Sequence, residues 1–165
     1  MSDVLRKLAL AATCIAVVAG GATLAIASKG GGTSSDANAA DTQYGTGGQG
    51  CTPGFWKQNH PNTWVGYKTT DTFDSVFGVT YFGSLTLLEA AGLEGGGFNA
   101  LARHATAALL NASNPNVSYD LSVTEIIKMV QEAFATNDPE PTKNVFAAFN
   151  ESGCSVDANG KPIKK

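Results

Sequence analysis

His60 and His104 are the only histidines in the 165-residue chain, and imidazole alone titrates near neutral pH without help from its surroundings. His60 stands in Trp56-Lys57-Gln58-Asn59-His60-Pro61 with Trp64 close behind, and His104 follows Arg103. Such a setting would suit a hydrolase of cell-wall or glycan substrates with His60 or His104 as acid–base, provided that the two rings, or one ring and a carboxylate, converge in a cleft. The plainer reading makes His104 a packed boundary residue, three positions after Leu101 and four before Ala108, and makes His60 a cap or a ring stacked on Trp56 or Trp64. Without a reaction, the same segment offers a binding rim of Trp56, Lys57, Asn59, His60 and Trp64.

Other chemistry is thinly represented. There is no Gly-x-Ser-x-Gly elbow, no phosphate loop ending in Lys-Ser/Thr, no His-Glu-x-x-His, no Cys-x-x-Cys and no calcium-loop pattern. Two histidines cannot make a three-histidine zinc site, so neither a metal nor a cofactor is expected. Eight of the fourteen aromatics fall between Phe55 and Phe82, a density that serves either a sugar-stacking platform or the core that short helices need. Asn111-Ala112-Ser113, Asn116-Val117-Ser118 and Asn150-Glu151-Ser152 are glycosylation sequons, meaningful only where the source glycosylates exported proteins.

The cysteines point to a compartment. Cys14 lies within an apolar run from Leu8 to Ala27 that follows Arg6 and Lys7, the layout of a secretory signal. Cleavage after Ala27 or after Ala39 fits the small-residue rule, and an uncleaved anchor, the one route to a membrane, is the competing reading. Either way residues 1–39 form a targeting segment and the rest faces outward. Cys51 and Cys154 are then the two cysteines of the exported part, and two cysteines in an oxidising compartment pair. Removing residues 1–39 takes away three basic and two acidic groups from totals of 11 and 14, which leaves a net charge of −4. That acidic balance argues against nucleic acid as a partner.

The elements that must position these residues are short. Residues 40–50, the end of a stretch from residue 28 that is rich in Gly, Ser and Thr, are expected as a flexible linker, 51–154 as one domain, and 155–165 as a solvated basic tail. Thr52-Pro53 reads as cap and first residue of a helix ending near His60. Asp71 reads as the cap of a second helix that stops at Gly78, with Phe73 and Phe77 four apart. Thr86-x-x-Glu89 and Ser122-x-x-Glu125 are capping boxes, the second with Leu121 and Ile126 as a hydrophobic staple. Phe98 to Ala112 carries an apolar stripe with Leu110 opposite, so this helix is expected to be covered on both sides. Asp138-Pro139 opens a last helix that Gly153 would close. Val79 to Phe82 is the one weak strand candidate, and the fold class is mainly α, with five or six short helices.

The run Cys51-Thr52-Pro53-Gly54-Phe55-Trp56-Lys57-Gln58-Asn59-His60-Pro61, with Trp64 following, resembles a Cys-Thr-Pro-Gly-aromatic-Trp-Lys-Asn-His signature of uncharacterised exported and cell-surface prokaryotic proteins. Asn99 to Ala105 and Glu151-Ser152-Gly153-Cys154 look like parts of the same pattern. Gln58 departs from the Lys-Asn-His order and changes the helical phase of Asn59 and His60. The resemblance spans residues 51–154 and implies compartment and domain identity without an activity. The expectation is therefore a non-enzymatic extracellular or cell-surface structural or binding protein whose partner is itself or a cell-surface polymer. One form of it is a self-assembling filament subunit with residues 40–50 as an arm and Leu110 at subunit contacts.

Overall fold

Residues 97–113 contain six alanines and three leucines, strong helix formers with little side-chain entropy to lose, and they build the longest element. The computed structural model describes residues 47–164; the expected targeting segment and residues 40–46 of the expected linker lie outside them. Six helices are present among the described residues: α1 (Pro53–Gln58), α2 (Phe73–Phe77), α3 (Leu87–Ala90), α4 (Gly97–Ser113), α5 (Val123–Thr136) and α6 (Glu140–Asn150). The fold is mainly α as expected. Val79 to Phe82 is not a strand, and only three isolated bridges occur among the described residues.

α4 is the hub, touching α1, α3, α5 and α6, while α2 packs on α5. Ten of its 17 residues are buried, which requires cover on more than one face. On one side Leu101, Ala105, Ala108 and Leu109 meet Phe73, Phe77, Leu87, Ile126, Val130 and Phe146. On the other, Ala107 and Leu110 meet Cys51, Trp56, Val117 and Val156. Leu110 is therefore interior to the domain and cannot serve a subunit contact. The alanines let neighbouring elements approach closely, and the larger partners fill the space.

Both capping boxes form as read: Thr86 with Glu89 and Ser122 with Glu125 each exchange side-chain and backbone bonds. Thr52 accepts the Phe55 N–H with Pro53 at the first helical position. α2 differs in its cap. Thr72 holds that place, while Asp71 accepts the Lys68 N–H at 2.7 Å and organises the preceding turn. α6 begins at Glu140 and ends at Asn150, three residues before Gly153, because Gly153 turns the chain into a bridge with Gly50.

Two expected boundaries move outward. Gly47 and Gly48 donate to the Asp120 carboxylate, Gln49 donates to the Ser118 carbonyl, and Gly50 donates to the Gly153 carbonyl at 3.0 Å. The end of the expected linker is thus strapped to the domain, and a Cβ at Gly50 would collide with the Phe149 carbonyl. Residues 155–164 are not a free tail either. Val156 is buried and bridges Pro162, Ile163 N–H donates to the Ser155 carbonyl, and Asp157 accepts the backbone N–H groups of Asn159 and Lys161.

Cys51 and Cys154 are bonded and close a loop of 103 residues in sequence. In the chain-entropy model a loop of that length stabilises the fold by about 4–5 kcal/mol. Cys51→Ala is expected to lower stability by roughly 2–5 kcal/mol in thermal or denaturant unfolding. An unchanged midpoint would mean that the helical core holds without the bond.

Candidate functional site

The segment from Cys51 to Trp64 is folded inward to a degree that its composition conceals. Trp56 has 0% exposure, and its Nε1–H donates to Asn111 Oδ1 at 3.2 Å. It belongs to the core and cannot contact a ligand, contrary to the expected rim. Apolar contact decides this: α1 has one inward face, and the indole occupies it beside Leu110 and Val156. Trp64 is half-buried and donates from Nε1 to the Trp56 carbonyl at 3.0 Å. Asn59 turns its amide back to the Phe55 carbonyl at 2.8 Å and ends the helix. Only Lys57 and His60 of the expected five stand exposed, His60 ahead of a cis peptide bond to Pro61. Of these five, Trp64 and Trp56 are joined by a hydrogen bond, and Trp56 is closed to solvent.

What the inward fold builds is a buried polar network centred on Asn111. Its Oδ1 accepts the Cys51 N–H at 2.8 Å as well as the indole N–H, and its Nδ2 donates to the Cys51 carbonyl at 2.9 Å and to Asn150 Oδ1 at 2.8 Å. All four bonds that a carboxamide can make are formed. Asn150 also accepts from the Tyr119 hydroxyl at 2.9 Å and donates to the His104 carbonyl at 3.0 Å. Burial, and then Asp120, push the Tyr119 phenol far above its ordinary range, so it stays a neutral donor. Sequence reading singled out Asn111 and Asn150 only as sequons; both are wholly buried, whereas Asn116 is exposed with its amide on the Gly160 carbonyl.

His104 lies on α4, and its Nδ1 is a buried side-chain atom without a hydrogen-bond partner. Burial first, then the neighbouring Arg103, lower its pKa below 6.5; Glu151 opposes the shift and Lys143 adds to it. The Arg103 guanidinium is itself engaged by the carbonyls of Leu93 and Gly95. His104 is thus held neutral at the edge of the core, the boundary role that its spacing suggested.

The exposed feature of the domain is elsewhere. Tyr81, Phe82, Phe98 and Phe134 form one cluster, with Phe98 and Phe134 stacked at 4.5 Å, and Tyr81 resting on Phe98 at 4.9 Å and on Phe134 at 5.1 Å. Tyr81 also meets the edge of Phe82 at 4.8 Å, yet remains 57% exposed. The loop bearing it is held by Asp74, whose carboxylate accepts the N–H groups of Tyr81 at 2.8 Å, Phe82 at 3.0 Å and Gly83 at 2.8 Å. Those bonds fold the loop over α2 and explain why it forms no strand. Sequence reading grouped Tyr81 and Phe82 with the earlier aromatics and missed Phe98 and Phe134, which lie at a helix start and a helix end far apart in sequence.

No family model, curated protein or solved structure matches the chain. Among the described residues no group of three or more His, Cys, Asp or Glu side chains is placed to hold a metal ion, and no helix is long and apolar enough to cross a membrane. Among the described residues the aromatic ledge around Tyr81 is taken as the candidate site, because it joins an exposed ring to an organised set of side chains.

Two outcomes follow from the buried groups. Asn111→Ala strands the Cys51 N–H and carbonyl, the Trp56 indole N–H and Asn150, and is expected to cost at least about 3 kcal/mol in denaturant unfolding. His104 has a lower pKa folded than unfolded, so the unfolded chain takes up its proton first as the pH falls. Stability is therefore expected to drop on acidification through pH 6.5, the drop being complete below the depressed folded value. His104→Gln should flatten that part of a stability profile, above the range where the carboxylates titrate.

Proposed function

We propose that this chain is an exported, non-enzymatic binding or structural protein that works outside the cell or on its surface. The observation that carries the reading is the Cys51–Cys154 bond, which closes the whole helical domain. Such bonds persist in oxidising compartments and are rare in the cytosol. The basic and apolar N-terminal pattern, with small-residue cleavage positions after Ala27 and Ala39, supports the same compartment. The resemblance of residues 51–154 to exported prokaryotic proteins agrees with it.

Binding is favoured over catalysis by the placement of the candidate groups. His60 stands in solvent just after α1, His104 is held neutral at the edge of the core, and the Trp56 indole, four residues before His60, is inside the core. A self-assembling form of the reading loses two of its supports, since Leu110 is internal and Gly47 to Gly50 are bound to their own domain. The exposed aromatic ledge takes their place as the working surface.

Fractionation of cells that make the protein, with thiols trapped before lysis, checks the compartment. The expected result is protein in the medium or on the surface, beginning at Ser28 or Ala40, with the Cys51 and Cys154 peptides recovered as one linked species. Protein held in the cytosol with the N-terminus intact and both thiols alkylated would overturn the reading.

A further inference from the structure

Tyr81 rests on three other rings and still leaves 57% of its surface exposed. Its backing is rigid, because Phe98 and Phe134 start and end long helices and stack on one another, and Asp74 fixes the loop through three backbone N–H groups. The geometry points to Tyr81 as a stacking platform for one sugar ring of a neutral or amino-sugar polysaccharide. This inference rests on the binding reading above and names the class of polymer.

Three observations favour that occupant. The first is size. Tyr81 is the one large apolar side chain of the ledge that is exposed, the others of the domain being Val65 and Ile163, whereas a stable interface between proteins covers about 800 Å² on each partner. A single exposed ring matches a single pyranose ring, whose axial C–H groups lie flat on an aromatic face much as nucleobases stack on aromatic side chains.

The second is charge. Segments 78–86, 94–99 and 134–140, which carry the four rings, contain Glu94, Asp138 and Glu140 and no lysine or arginine. Glu94 and Glu140 are both exposed, so this acidity is open to solvent. Lys143 is engaged by Glu140 at 2.9 Å. An anionic polymer, a nucleic acid or an acidic membrane would meet like charge, while a neutral or amino sugar would not. The third is the neighbouring chemistry: Thr80 and Ser84 flank the ring pair in the same loop as exposed hydroxyl groups, suited to the hydroxyls of a sugar.

The test is sedimentation of the protein, as its producing cells process it, with insoluble cellulose and chitin, and with an anionic polysaccharide gel as contrast. Retention on at least one neutral or amino-sugar polymer is expected, with little on the anionic gel. Tyr81→Ala should weaken that retention at least tenfold, and Tyr81→Phe or Tyr81→Trp should preserve it. Because Tyr81 is mostly exposed, the melting temperature of each variant should stay close to that of the parent. Failure to bind any of the polymers, or binding that Tyr81→Ala leaves intact, would overturn the inference. So would self-association in light scattering that Tyr81→Ala abolishes, which would make the ledge a contact between copies. Where the protein resides in the same cultures is read separately, so a negative sedimentation result with protein outside the cell removes the polymer and leaves export standing.

Discussion

A carboxamide shut away from water must find partners for both its oxygen and its nitrogen, or the fold is left with uncompensated polar groups in its interior. Asn111 finds them in the backbone of Cys51, the indole of Trp56 and the side chain of Asn150, which belong to the N-terminal segment, α1 and α6. The disulfide joins the same two ends of the domain covalently. One constraint limits how far the chain can spread when unfolded; the other fixes register once folded. Neither does the work of the other, because a covalent loop tolerates many orientations of α1, and a saturated amide tolerates one.

That division explains why the short elements are stable. α1 has six residues and would not persist alone, since nucleating a helix costs more than so few bonds return. Its indole reaches through the second core cluster to α4, and its first residues follow directly on Cys51. α2 and α3 are shorter still and depend on Phe73, Phe77 and Leu87, which α4 and α5 cover. The helical body thus lends order to pieces that have little of their own.

Much of the fold was legible because local signals are physical. Capping boxes at Thr86 and Ser122, Pro53 at a helix start and Gly78 in a left-handed stop each satisfy backbone groups within a few residues, so spacing alone reveals them. The opposed position of Leu110 likewise announced a second cover for α4. What spacing could not reveal were bonds between distant positions. Asp74 belongs to α2 in sequence but acts on residues 81–83, and Asn111 reads only as a sequon until the 60 residues separating it from Cys51 are folded away. The ledge had no local signature, because Tyr81, Phe98 and Phe134 meet only after three connections have closed. The expected rim at Trp56 failed for the converse reason: polar neighbours in sequence say little about a side chain on the opposite side of a six-residue helix.

The burial of Asn111 and Asn150 also bears on the order of events during biosynthesis. Where a secretory pathway attaches oligosaccharides to Asn-x-Ser while the chain is still emerging, the transferase acts before either amide has reached the interior. A sugar on either nitrogen would remove a donor of the central network and place a large hydrophilic group where no space exists. The native fold is thus compatible with export routes that leave these two sequons bare, and Asn116 is the acceptor that a finished domain can still present. A host chosen for its ability to form the Cys51–Cys154 bond must therefore also be one that does not decorate the chain before it folds.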